Sequence, residues 1–142
     1  MITNSSQGPQ LSWFKPALAT SALYKAGFAT ATGPIGSHYA APLAPDSLLQ
    51  ITDGTVTLGG GNLPDSINPV TLNASSKLVN NGTNTLKLTF TASSGLFAGS
   101  FLEAGTPKTY AIKGVVLQRQ NNGSGYAPGT NQSGSVIFQA AP

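Results

Sequence analysis

The chain has 142 residues, one domain's worth of polypeptide and enough to bury a core without covalent staples. Charged residues are 8% of it, about a third of the usual share, and the absence of cysteine excludes a disulfide scaffold, a thiol nucleophile and a cysteine-based zinc site. The net charge of +3 comes from seven scattered cations (Lys15, Lys25, Lys77, Lys87, Lys108, Lys113 and Arg119) against four acids, so no basic patch forms and no nucleic-acid partner is expected.

Gly, Ser, Thr and Asn take the place of charges, as on the surfaces of extracellular β domains. The 39% of hydrophobic residues fall in periodic runs, which argues against disorder. No apolar stretch approaches the roughly 20 residues of a membrane span, so no membrane partner is expected either. The polar opening Met1-Ile2-Thr3-Asn4-Ser5-Ser6 does not read as a signal peptide. Residues 1–10 read as a linker, and 11–142 as a single β domain.

In chain order, Leu11–Phe14 reads as a short strand stopped by Pro16. Residues 22–32 carry Leu23, Tyr24 and Phe28 around Gly27, a strand with a kink or bulge. Gly33-Pro34-Ile35-Gly36 is a turn, and Pro42 and Pro45 flank an irregular stretch. Leu48–Thr52, Asp53-Gly54 and Thr55–Leu58 together read as a hairpin with an Asp-Gly turn. After a Gly59–Asn62 loop come short strands at Val70–Leu72 and Lys77–Val79, and a turn at Asn80-Asn81-Gly82. Thr85–Thr91 alternates, with Leu86, Leu88 and Phe90 on one face and Lys87, Thr89 and Thr91 on the other. Ser94-Gly95 turns into a strand at Leu96–Leu102, and Gly105-Thr106-Pro107 into the longest one, Lys108–Gln120. Asn121–Gly125 reads as a loop and Ser135–Gln139 as the last strand. No segment has a convincing helical period. Ten or so strands at intervals of about ten residues predict an all-β antiparallel fold, a sandwich, with a closed or partly open barrel as the alternative.

Several motifs carry a family likeness: Trp13-Phe14-Lys15-Pro16, Tyr24 to Phe28, Gly36-Ser37-His38-Tyr39, Gly60-Gly61-Asn62-Leu63, Gly95 to Phe101, Lys113 to Gln118, and Gly125-Tyr126 through Ser133-Gly134-Ser135-Val136. Over most of its length the chain resembles a β-rich accessory module near the C-terminus of large secreted proteins of environmental bacteria, a family with no assigned chemistry. The resemblance implies an extracellular, secreted location, parent-polypeptide domains as partners, and a further β-rich segment often preceding this one. Lys25 stands where such modules often carry Pro. Tyr126 stands where they usually carry an aromatic.

The residues point away from catalysis. Asp46, Asp53 and Asp65 adjoin Pro or Gly and are explained by turn chemistry, and Glu103 ends a strand, so no carboxylate pair is evident. His38 is the single histidine, with no nucleophile elbow to serve and no partner for a multi-histidine metal site. No cofactor is expected, and whether a metal binds stays open. The few acids leave room for a structural Ca²⁺ held mainly by carbonyls. Gly59-Gly60-Gly61 lacks the Lys-Ser/Thr ending of a phosphate loop.

Sugar binding is the function these residues permit best. Pyranose C–H faces stack on aromatic rings, and amides bond the hydroxyls. The expected contacts are Trp13, Tyr39 and Tyr126 for stacking, with Gln118, Gln120 and Asn121 as hydrogen-bond partners. Gln118 and Gln120 alternate with Leu117 and Arg119, which would place both on one strand face. The reading is a non-catalytic carbohydrate-binding module for plant-type polysaccharide of the β-glucan class. The alternative is a structural or adhesive module whose β edges mediate domain packing or self-association.

Overall fold

A computed structural model describes residues 10–43 and 46–142. The fold is all-β and antiparallel, with ten strands and a single turn of 3-10 helix among the described residues. It divides between Gly36 and Ser37 into two compact units, and that boundary falls inside the stretch read from sequence as one domain. The linker reading of residues 1–9 lies outside the described residues.

The first unit is a two-stranded ribbon, β1 (Leu11–Lys15) against β2 (Phe28–Thr32), with Trp13 opposite Thr30 and Lys15 opposite Phe28. The expected strand over 22–32 starts only at Phe28. Tyr24 and Gly27 hold positive φ of 52° and 74°, which bends the chain before it. At Gly27 only glycine fits, since a Cβ there would lie 2.5 Å from the Lys15 carbonyl oxygen.

The second unit is one eight-stranded sheet that nearly closes into a barrel, the alternative of the two expected architectures. Its strands are β3 (Asp53–Gly59), β4 (Ser66–Leu72), β5 (Leu78–Asn80), β6 (Thr85–Thr91), β7 (Leu96–Leu102), β8 (Thr109–Leu117), β9 (Asn122–Pro128) and β10 (Ser133–Ala140). Their order is β5-β4-β3-β10-β9-β8-β7-β6, so β10 returns to pair with β3 and the edge strands β5 and β6 meet at a seam.

Side chains close that seam. Asn68, fully buried on β4, donates through Nδ2 to the Val56 carbonyl at 3.1 Å and to Ser66 Oγ at 3.0 Å. Its Oδ1 accepts from Asn84 Nδ2 at 3.0 Å, just ahead of β6, and Asn80 Nδ2 on β5 donates to the Asn84 carbonyl. Every polar atom of the Asn68 amide group is thus bonded, the condition under which a buried amide is tolerated. Pro69 costs no ladder bond to β5, whose pairing with β4 covers only Val70 to Leu72.

The interior is filled by the inward set of each strand: Val56, Leu58, Val70, Leu86, Leu88, Phe97, Phe101, Tyr110, Ile112, Val116, Val136 and Phe138. It is a packed core rather than a pore, as expected for eight strands. Large rings need small neighbours. Phe97, Gly114 and Gly125 lie directly across from one another on three strands, and the Phe97 ring covers both glycines.

Three expectations fail on this packing. Asp53-Gly54 is not a hairpin turn but the start of β3, opposite Thr71 and Val70. Gly54 is required there because a Cβ would lie 2.7 Å from the Gln139 carbonyl oxygen and 2.8 Å from the Phe138 ring. Residues 48–52 form no strand, yet Leu48, Leu49 and Ile51 are buried. The expected Asn121–Gly125 loop is mostly β9, whose Gly123, Gly125 and Ala127 point inward beneath Phe97 and Phe138.

Candidate functional site

The outer face of β6 to β9 carries the side chains that alternate with this core. Two rows run across it. One is Thr89, Ala98, Lys113 and Tyr126; the other is Thr91, Leu96, Val115 and Ser124. Between them opens a groove of about 480 Å³, within the usual range for small-ligand clefts. Its floor is the backbone of Gly114 and Gly125, positions whose Cβ atoms would point inward to the Phe97 ring and not into the groove. Leu96 and Val115 form an apolar wall, and Tyr126, 48% exposed, stands at the rim opposite Lys113. The ring rises from β9, paired on both sides by Lys113 on β8 and Ser135 on β10, a rigid mounting for a stacking platform.

The five residues of the second unit expected to contact sugar do not converge. Tyr126 alone lines the groove. Trp13, 60% exposed, belongs to the ribbon unit, where it meets Phe28 edge-on with ring centroids 5.6 Å apart, and Tyr24 meets the same ring at 5.0 Å. Tyr39 is half-buried. Its ring packs on Gly95 in the turn between Thr91 and Leu96, and its hydroxyl donates to the Ala92 carbonyl. Burial pushes the Tyr39 hydroxyl above its ordinary pKa, partly offset by the Gly95 backbone N–H.

Gln118 and Asn121 serve the backbone. Gln118 Oε1 accepts from the Ala40 N–H at 2.8 Å, and its Nε2 donates to the Ala40 carbonyl at 2.9 Å. Asn121 treats Gln50 the same way, accepting from its N–H at 2.8 Å and donating to its carbonyl at 3.1 Å. Each amide thus substitutes for a strand partner, and the two tie Ala40 and Gln50 to the turn after β8, with Leu48 and Leu49 buried beside Gln50. The expected alternation of Gln118 and Gln120 on a strand is corrected: β8 ends at Leu117 and Gln118–Gln120 is a 3-10 turn capped by Asn121 in the left-handed region. The reason is geometric, since the chain must reverse tightly there to enter β9.

Sequence reasoning missed Lys113, Leu96, Val115 and Ser124. The signal was present in the alternation of β7 and β8, but the assignment of residues 121–125 to a loop removed the strand that completes the groove.

The acids lie elsewhere. Asp53 accepts from Thr71 Oγ1 at 3.3 Å, Glu103 accepts from the Tyr110 hydroxyl at 3.3 Å, and Lys108 sits 4.9 Å from the Tyr110 ring centre. Among the described residues no three of His, Cys, Asp and Glu gather as a metal-ligand set. His38 is exposed. No helix among the described residues is long and apolar enough to cross a membrane. No family model, no curated protein and no solved structure matches this chain.

Proposed function

We propose that this chain is a non-catalytic carbohydrate-binding module of a secreted protein, with Tyr126 as its stacking platform. The observation that carries the reading is a half-exposed tyrosine ring on a strand paired on both sides, bordering an open groove walled by Leu96 and Val115. A pyranose needs such a combination: an aromatic face for its C–H groups, and a polar edge, here Ser124, Thr91 and Lys113, for its hydroxyls. The aromatic, rather than the amides of Gln118 and Asn121, is the part of the expected set that remains free to meet a ligand.

Affinity gel electrophoresis against β-glucan, xyloglucan, xylan, mannan and polygalacturonate tests the reading. Retardation by one glycan class is expected, weakened about tenfold by Tyr126→Ala, the scale of losing one aromatic contact, and unchanged by Trp13→Ala. Failure of every glycan to retard the folded protein, or full retention by Tyr126→Ala, would sink it.

A second reading rests on the ribbon. Among the described residues β1 and β2 form a two-stranded sheet with no third strand on either edge, and Leu11, Trp13 and Phe14 expose apolar surface on its two faces, Phe14 at 71%. Such a ribbon is marginal by itself, and open edges invite pairing. The assembly reading expects light-scattering mass to rise with concentration and Phe14→Ser to suppress the rise. A concentration-independent monomer mass would remove it.

A further inference from the structure

We infer that the ligand of the Tyr126 groove is an anionic polysaccharide, a chain of uronate sugars, with the carboxylate held by Lys113. The inference rests on the sugar-binding reading of the same groove and narrows it from the neutral β-glucans that aromatics and amides by themselves suggest.

Lys113 and Tyr126 are direct partners across the β8–β9 ladder. Directly opposed side chains on one sheet face start roughly 4.5–5.5 Å apart at Cβ, so a ring stacked on Tyr126 presents its edge to the ammonium. In a uronate that edge carries the carboxylate, and a Lys–carboxylate contact is a charge-assisted hydrogen bond. A neutral hexose offers only a hydroxymethyl group at the same place.

The charge pattern around the site agrees. The sequences of β6, β7, β8 and β9 contain two lysines, Lys87 and Lys113, and no aspartate or glutamate. Its only charges are therefore positive, one on β6 and one on β8. Glu103 is bonded to Tyr110 and Thr106 in the hairpin beyond β7 and sits opposite Lys108, about 17 Å along the strand from Lys113 at strand rise. No acid among the described residues forms an ion pair with Lys113, which is exposed at the groove wall. A lysine placed beside a stacking ring on an acid-free face is a receptor for an anion.

The test uses the intact protein, with polygalacturonate and alginate as anionic probes and β-glucan and xyloglucan as neutral ones, in affinity gels run at low and moderate salt. Lys113→Gln is compared with Lys87→Gln, which removes the same charge from the same sheet face outside the groove. The expected result is preferential retardation by a polyuronate, weakened about fivefold by K113Q, the scale of one exposed ion pair, unchanged by K87Q, and reduced by added salt. Binding to neutral glycans through Tyr126 with no response to K113Q overturns the uronate assignment and leaves the sugar-binding reading intact. Equal losses in K113Q and K87Q mean bulk attraction between a cationic protein and a polyanion, and also overturn it. Retardation by neither class overturns both.

Discussion

Gly114→Ala is expected to destabilise the barrel by about 3 kcal/mol, the upper part of the range for overpacking a core. The general rule for a strand glycine points the other way, because alanine restricts the unfolded chain and gains about 0.4–1 kcal/mol where the backbone accepts it. Here the backbone accepts it and the core does not. A Cβ at Gly114 would lie 2.1 Å from Phe97 Cζ and 2.6 Å from two further ring carbons. The ring has little room to retreat, since it is 2% exposed, also covers Gly125 and meets Phe90 at a centroid distance of 5.6 Å. Urea unfolding of G114A measures the loss. Combining it with Phe97→Leu should recover part of it, because the two residues contact and their effects should not add. A G114A midpoint equal to that of the parent would refute this account of the glycine column.

The seam supplies the second large effect. Asn68→Ala should cost about 3 kcal/mol, combining a buried void with donors and acceptors stripped of their partner. Val56 loses the Asn68 Nδ2 donor, and Asn84 keeps only Ser66 of its two acceptors. These bonds join β4 to the approach of β6 where no backbone ladder links the two edge strands, so hydrogen exchange along β5 and β6 should accelerate in the variant. Asn81→Ala provides the contrast. That side chain is exposed and donates at 2.7 Å to Thr71 Oγ1, which is half-buried, so its removal should shift stability by no more than about 0.5 kcal/mol. If both variants unfold at the parental midpoint, the amides do not close the barrel.

Part of this architecture was legible in the residues. Leu86, Leu88 and Phe90 alternate with Lys87, Thr89 and Thr91, and the strand lies where the alternation places it, because a period of two has one inward solution once a core exists. The same held for Leu96–Leu102, and for a last strand near Ser135–Gln139 that extends to 133–140. The all-β class and its ten or so strands follow from that pattern, from the spacing of the turn residues and from the absence of a helical period. The exposure of Tyr126, an aromatic beside a glycine-rich stretch, was also expected from the sequence.

Glycine was misread where it served packing instead of turning. Gly54 and Gly123 look like turn residues in isolation, but their want of a side chain admits the Phe138 and Phe97 rings from neighbouring strands, contacts that pair residues dozens of positions apart. The amides of Gln118 and Asn121 were misread for a related reason. Their partners, Ala40 and Gln50, lie more than 70 positions away along the chain, so nothing local marks them as straps. The sequence by itself determined the strand character and the polar, acid-poor surface, both set by side-chain alternation and composition. Only the tertiary structure decided that the sheet nearly closes on itself, that Lys113 faces Tyr126, and that Trp13 belongs to a separate ribbon. Those three facts depend on which strands pair and in what register, and pairing is settled by the fit of large rings over bare backbone across the whole sheet.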